Sequence, residues 1–189
     1  MAPRNAPARR SDATKAAILE AAREQFAANG YGGATIRAIA AAAEIDPAMV
    51  MRYFGNKEKL FAAAADFDLR FPDFADVPRE AVGAAVVEHF LSIWEGDESF
   101  VALLRTSVTH DEVADRMRGI FASQVVPAIA RLRGEPPAAV ALRTGLLTSQ
   151  MLGLALCRYV LRVPSVAAAD RAELIERVGA NVQALLFDR

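Results

Sequence analysis

The sequence predicts an all-α protein with a small N-terminal helical domain and a larger C-terminal helical domain. Of the 189 residues, 40 are Ala, which has the highest helix propensity of all residues. Apolar residues make up 53% and charged residues 24%, a composition typical of a globular protein. Apolar side chains also recur at spacings of three and four residues, which is the period of an amphipathic helix.

Charge is distributed unevenly along the chain. Residues 1–60 carry nine Lys and Arg against six Asp and Glu, whereas residues 61–189 carry 13 against 17. A basic N-terminal part followed by an acidic remainder indicates that the N-terminal part binds a polyanion. One Cys and two His are too few for a disulfide framework or a structural zinc site, so no metal and no cofactor are predicted.

The sequence predicts a cytoplasmic protein without a membrane partner. Residues 1–10 lack the apolar run of a signal peptide. The longest uncharged apolar stretch lies between Arg143 and Arg158 and has 14 residues, which is too short for a bilayer span. We therefore expect this stretch to be a buried helix.

The N-terminal part contains four predicted helices. Residues 1–10 are expected to form a flexible basic arm. The first helix begins at Ser11 or Asp12 and ends at Asn29-Gly30, because these residue types cap and terminate helices. A fourth helix, capped by Asn56, is predicted over about residues 57–70.

Between them, two short helices are separated by a tight turn at Glu44-Ile45. Thr35 caps the first of these helices. Asp46 before Pro47 starts the second, since a capping carboxylate followed by Pro is a strong helix-start signal. Such a pair over about residues 35–54 is typical of a helix-turn-helix, although ordinary helices of a bundle would show the same pattern.

A longer sequence pattern favours the helix-turn-helix. It consists of TIRAIAAAAEIDPAMVMRYFGNKEKLF at residues 35–61, preceded by Ala21-Ala22, Phe26-Ala27 and Gly30-Tyr31. Over about residues 12–65 the chain resembles the TetR family of bacterial repressors. The resemblance implies a three-helix DNA-binding domain at residues 11–71 and a helical regulatory and dimerisation domain at residues 72–189.

Three positions depart from the family pattern. Glu44 stands where the family usually has Gly, and a left-handed backbone there would cost on the order of 1 kcal/mol. Asp46 replaces the usual Ser at the helix cap. Met51 replaces a frequent Tyr, which removes one hydroxyl that could contact a phosphate.

The resemblance implies that the second helix of the pair enters the major groove of DNA. Arg37 and Arg52 can hydrogen-bond to guanine, or instead bind phosphate or solvent. Lys57 lies in the first turn of a helix, where the dipole disfavours a cation. A nearby phosphate would explain that charge, although Glu58 could also compensate it. The predicted DNA-binding residues are Thr35, Ile36, Arg37, Pro47, Ala48, Met49, Met51, Arg52, Tyr53 and Lys57.

The C-terminal part contains five predicted helices, at about residues 79–95, 98–109, 111–132, 137–162 and 170–187. Pro127 is expected to bend or interrupt the third. In the fourth, small residues four apart form a ridge that permits close helix contact, unless they reflect only the abundance of Ala and Gly. The resemblance implies dimerisation through the last two helices, with the interface residues Gly145, Ser149, Gly153, Leu174, Val178, Val182 and Leu185.

Aromatic and polar residues of the predicted C-terminal helices indicate either a hydrophobic core or a ligand cavity, because the two share an apolar lining. The resemblance favours a cavity for a small apolar or amphipathic ligand. Its predicted residues are Phe67, Phe71, His89, Phe90, Trp94, Thr106, Phe121, Gln124 and Gln150.

The combined pattern predicts a homodimeric repressor that binds a palindromic operator in double-stranded DNA and is released by a small molecule. One alternative is a DNA-binding protein of the same fold without an inducer. A more remote alternative is a helical enzyme. No catalytic residue is predicted, because the sequence lacks a Gly-x-Ser-x-Gly elbow, a P-loop and a His-Glu-x-x-His motif.

Overall fold

The computed structural model describes residues 6–64, 67–96 and 98–188, and every regular element in these ranges is helical. These residues form two compact units. The first unit contains the N-terminal helices together with Thr106–Arg116, and the second contains Phe67–Arg105 and the residues from Met117 onward. The all-α fold class is therefore confirmed.

Four N-terminal helices build the first unit: α1 (Ala6–Gly33), α2 (Ile36–Ala42), α3 (Pro47–Phe54) and α4 (Lys57–Ala64). α1 contains a kink at Gly30, where φ is 64° and ψ is 173°. This kink lies where the sequence predicted the end of the first helix. Residues 6–10 are helical, so the predicted flexible arm is wrong for them, and residues 1–5 lie outside the described part of the chain.

Side-chain caps start three of these helices as predicted. Thr35 Oγ1 accepts a hydrogen bond from Ala38 N at 3.1 Å, and Asp46 Oδ1 accepts one from Ala48 N at 2.7 Å. Asn56 Oδ1 accepts one from Lys59 N at 2.8 Å. In the turn between α2 and α3, Glu44 has a φ of 54°, the left-handed conformation that favours Gly.

The predicted length of α4 is wrong. α4 ends at Ala64, and residues 67–73 are not helical. The carbonyl oxygen of Ala64 accepts a hydrogen bond from Arg23 Nε at 2.8 Å, which anchors the end of α4 to α1. Residues 67–71, which we call the linker segment, therefore follow α4 as irregular backbone instead of as two further helical turns.

The remaining helices are α5 (Val82–Gly96), α6 (Glu98–Ser107), α7 (Asp111–Ile120), α8 (Val126–Arg133), α9 (Pro137–Ala155), α10 (Pro164–Ala167) and α11 (Arg171–Phe187). A π-helical turn, Phe121–Val125, separates α7 from α8 and ends two residues before Pro127, near the position where a bend or an interruption is predicted. A second π-helical turn, Leu156–Val160, ends α9.

α5 and α11 pack closely in the second unit, and glycines make this contact possible. A Cβ atom on Gly83 would lie 2.3 Å from the carbonyl oxygen of Gly179, and one on Gly179 would lie 2.9 Å from Ala84 Cα. Leu174 and Val182 of α11 are 8% and 0% exposed and belong to the hydrophobic core of this unit. Their prediction as dimer-interface residues is therefore wrong, since a buried side chain offers no surface to a partner.

α9 and the turn after it form the most apolar stretch. Pro137–Val160 is long and apolar enough to cross a membrane, a test that a core helix of a soluble protein also passes. One side of α9 is buried, through Val140, Thr144, Leu147 and Met151, and packs in the core. The opposite side is exposed, so the expectation of a buried helix is met on one side only.

Candidate nucleic-acid interface and ligand cavity

The helix pair α2–α3 presents its polar side outward because its apolar side is occupied by the core. Val50 and Phe54 of α3 are 0% and 8% exposed, as the spacing predicted. All ten predicted DNA-binding residues are left at least partly exposed. Thr35, Arg37, Pro47, Ala48, Met51 and Arg52 are exposed, and Ile36, Met49, Tyr53 and Lys57 are half-buried.

Two arginines on this surface are available for an external anion. Among the side chains that the structure describes, no carboxylate forms a salt bridge with Arg37 or Arg52. The Arg52 guanidinium lies 5.8 Å from the ring centroid of Tyr53. A guanidinium without a carboxylate partner can direct N–H donors to phosphate or guanine, although the Arg52 side chain also hydrogen-bonds to Tyr53.

Lys57 contacts an aromatic side chain of α1 that the sequence pattern did not predict. Its Nζ lies 4.5 Å from the ring centroid of Tyr31, a cation–π contact. The Tyr31 hydroxyl donates a hydrogen bond to Glu58 Oε1 at 2.7 Å. This bond lowers the pKa of Glu58, while burial and the same bond raise the pKa of Tyr31. The ring therefore holds the ammonium group in place and Glu58 remains a hydrogen-bonded anion.

Tyr53 joins α3 to α1. Its hydroxyl is hydrogen-bonded to Ser11 Oγ at 3.3 Å, and either hydroxyl can donate. The bond with Ser11, together with the Arg52 guanidinium, lowers the pKa of the Tyr53 hydroxyl. Ser11 had been predicted only as a helix cap. No local pattern could reveal this contact or that of Tyr31, because each joins residues on separate helices.

The second unit encloses a cavity of about 80 Å³ between α5, α9 and the π-helical turn Phe121–Val125. Five of the nine predicted pocket residues line it: Phe71, His89, Phe90, Trp94 and Phe121. The other four do not. The ring of Phe67 packs edge-on against that of Phe100, with their centroids 5.5 Å apart. The Gln124 side chain donates a hydrogen bond to the carbonyl oxygen of Phe67. Thr106 and Gln150 do not line the cavity.

Several lining residues were missed, above all on α9. Leu147, Thr148, Met151 and Leu152 occur at positions i, i+1, i+4 and i+5 and form one face of that helix toward the cavity. The helical spacing could have identified this face. Gln150 is predicted as a pocket residue because it is polar, but its position on α9 does not place it in the wall.

The linker segment forms part of the cavity wall and is held by side chains of two other elements. Gln124 Oε1 accepts from Leu69 N at 2.7 Å, and Gln124 Nε2 donates to the carbonyl oxygen of Phe67 at 2.9 Å. His89 Nε2 donates to the carbonyl oxygen of Leu69 at 2.8 Å. Leu69 and Phe71 both line the cavity, so this segment is fixed at the point where it meets the cavity.

The outer side of α9 is apolar and exposed. Leu142 and Leu146 are 77% and 48% exposed, and Gly145, Ser149 and Gly153 lie on the same side. Leu142, Leu146 and Leu185 of α11 border an open groove. Exposed leucines in a continuous apolar patch are typical of a surface that another molecule covers.

Comparison with known proteins identifies the family of both parts of the chain. Residues 80–186 match the model described as "Tetracyclin repressor-like, C-terminal domain". Residues 18–64 match the model described as "Bacterial regulatory proteins, tetR family".

Relatives of known name match over shorter stretches. The chain is 46% identical over 59 residues to HTH-type transcriptional repressor SCO4008 of Streptomyces coelicolor, covering 31% of each chain. It is 47% identical over 51 residues to HTH-type transcriptional repressor AcnR of Corynebacterium efficiens, covering 27% of each chain. The matched region thus spans about a third of the length of these relatives.

A solved structure shows the same fold over most of the chain. The transcriptional regulator FadR from Bacillus subtilis, solved in complex with stearoyl-CoA, is 17% identical, with a TM-score of 0.51 and coverage of 90% of this chain and 97% of that one. Because a family model matches more than half of the residues and a second model matches the N-terminal helices, the chain belongs to the TetR family of helix-turn-helix transcriptional regulators.

Proposed function

We propose that this protein is a cytoplasmic homodimeric repressor that binds a palindromic operator through α2, α3 and the start of α4. The observation that carries the proposal is the exposure of Arg37 and Arg52 on a helix pair whose other side is closed by Val50 and Phe54. Two relatives that are named repressors support it.

A salt-dependence experiment separates the roles of the basic residues. Lys57→Ala should reduce the slope of log affinity against log salt concentration by about 0.9 for each phosphate that is no longer neutralised, or about twice that per dimer, on every DNA sequence. Arg37→Ala should instead relax the preference at one base pair per half-site, at a cost of about 1–3 kcal/mol.

Lys59→Ala is the matched control, because Lys59 Nζ already pairs with Glu112 Oε1 at 2.6 Å. It should change the salt slope less than Lys57→Ala does. If Lys57→Ala and Arg37→Ala give the same profile across operator variants, the assigned roles are incorrect.

The exposed side of α9 supports a dimer. Two-fold symmetry would require half-sites about 34–36 Å apart, or a multiple of that spacing. Leu146→Glu places a charge in the apolar patch and should produce a monomer by light scattering at micromolar concentration. Val108→Glu, at a position that is 71% exposed and lies outside α9, should leave the dimer intact. A monomeric wild type would contradict the proposal.

We further propose that a small molecule in the cavity releases the operator. The linker segment supports this, since it follows α4 in the chain and contributes Leu69 and Phe71 to the cavity wall. Phe71→Ala should reduce the effect of a releasing molecule while leaving the operator affinity of the free protein nearly unchanged. Linkage requires that a molecule which weakens operator binding tenfold also binds tenfold more weakly to the DNA complex.

The small volume of the cavity favours a second candidate function, a DNA-binding regulator without an inducer. A cavity of about 80 Å³ is well below the roughly 300–1,000 Å³ of typical ligand pockets. Operator affinity that no compound alters in a broad screen would support this candidate.

A further inference from the structure

We propose that the cavity binds an uncharged hydrocarbon of the size of one aromatic ring and excludes carboxylates and other ions. This inference specifies the ligand class of the cavity and rests on its proposed role as the ligand site. Three features of the wall carry it: the absence of charged side chains among its described residues, its aromatic residues and its size.

The described part of the wall offers no charged partner to an ion. Among the lining residues that the structure describes, none is Asp, Glu, Lys or Arg, and the side chains with hydrogen-bonding groups are His89, Thr148 and Trp94, whose indole N–H is a donor. His89 Nε2 is engaged with the carbonyl oxygen of Leu69. An ion in this space would lose its hydration without gaining a paired charge, which is strongly unfavourable. Glu95, next to Trp94 in the sequence, is paired with Arg158 and Arg171.

Aromatic rings form much of the wall. The Phe90 and Trp94 centroids are 5.4 Å apart and tilted by 35°, and those of Trp94 and Phe100 are 6.0 Å apart and tilted by 45°. A further ring can add to this cluster in an offset or edge-to-face arrangement, since aromatic pairs are favourable at centroid distances of about 4.5–7 Å.

Size limits the occupant to about one ring. An apolar cavity of roughly 150 Å³ takes up benzene, and the present cavity of about 80 Å³ is about half as large, so even one ring requires side chains of the wall to move. Met117 and Met151 lie in the wall, and their unbranched side chains can change rotamer to enlarge it. Fused ring systems or long acyl chains would require more displacement than these two side chains provide.

The test compares toluene with benzoate, which have similar shape and differ in charge. Trp94 is the one tryptophan of the chain and lines the cavity, so its fluorescence reports occupancy directly. At pH 7 toluene should cause a saturable change in Trp94 emission. Benzoate should bind at least about 100-fold more weakly, because only roughly 1 in 500 molecules of a carboxylic acid with a pKa near 4.3 is neutral at that pH.

Two variants locate the binding site. Ile93→Phe and Leu152→Phe add volume to different walls of the cavity, and each should weaken toluene binding at least tenfold. Leu161→Phe, at a position that is 62% exposed and outside the wall, should keep the wild-type toluene affinity. Benzoate binding as tight as toluene binding, or no toluene-dependent change in the wild type, would overturn the proposal.

Operator affinity, measured in parallel, separates this proposal from the proposed function. Toluene that occupies the cavity without altering operator affinity supports the ligand class and contradicts ligand release by this compound. Toluene that binds equally well to wild type and to both filled variants overturns the inference, whatever the operator does.

Discussion

Replacing Gly83 by Ala should destabilise the second unit, because α5 and α11 approach each other too closely for a side chain at this position. The added Cβ would lie 2.3 Å from the carbonyl oxygen of Gly179 and 2.6 Å from the backbone nitrogen of Gln183. Gly83 N also donates to Gln183 Oε1 at 2.7 Å, so separating the helices would strain this bond as well.

The magnitude follows from two opposing terms. Adding a methyl group to a packed contact costs about 1–3 kcal/mol, and the upper end applies because backbone atoms cannot rotate away. Ala within a helix regains about 1 kcal/mol relative to Gly. The net loss is about 2 kcal/mol, which corresponds to a decrease in melting temperature of about 4–8 °C for a chain of this size.

Thermal unfolding followed by circular dichroism measures this effect, with Gly119→Ala as the matched control. A Cβ on Gly119 would meet no atom within 4 Å, so this variant should gain about 0.5–1 kcal/mol from helix propensity alone. The two substitutions should therefore shift the melting temperature in opposite directions. A Gly83→Ala variant that melts at or above the wild-type temperature would refute the reasoning.

Substitutions at three further positions test the first unit by urea unfolding. Asp46→Ala should lower the free energy of unfolding by about 1 kcal/mol, because the α3 cap is lost. Asp46→Asn should keep most of the wild-type stability, because Asn can also cap a helix. Glu44→Gly should stabilise by up to about 1 kcal/mol, since φ is 54° there. Tyr31→Phe removes the bond that lowers the Glu58 pKa, so its stability deficit should be present at neutral pH and shrink as pH falls through that pKa.

The helix-turn-helix could be predicted because its determinants are local. Thr35, Asp46 and Asn56 cap their helices through bonds to backbone groups two or three residues away. Val50 and Phe54 are buried where the helical period places them. Helix caps and helical spacing involve residues only a few positions apart, so both can be identified in a short stretch of sequence without the rest of the fold.

The dimer-interface prediction was wrong at Leu174 and Val182 for a different reason. Helical spacing identifies the apolar face of α11, but it does not distinguish a partner helix of the same chain from one of a second copy. Both side chains pack against residues of the same chain, in the core that α11 shares with α5. Only the three-dimensional arrangement shows that the uncovered apolar side belongs to α9.

The end of α4 could not be predicted because distant residues determine the backbone that follows it. Residues 57–70 continue an apolar pattern compatible with a helix, yet the linker segment bonds to Gln124, which lies 55 and 57 residues away from its two partners. These bonds replace the intrahelical ones that a continued helix would form. Phe67 and Leu69 thus satisfy backbone groups through tertiary contacts, which a local pattern does not contain.

The shorter α4 changes how operator release would work. A helix extending to residue 70 could transmit a tilt as a rigid rod, but the cavity contacts irregular backbone at Leu69 and Phe71 instead. An occupant that displaces these side chains would act on the bonds of Gln124 and His89 to the linker segment. Each such bond contributes about 1 kcal/mol, and a tenfold change in affinity requires about 1.4 kcal/mol. The loss of one or two of these bonds would match tenfold coupling in size, provided that the bonds are kept in the operator complex and lost in the occupied free protein.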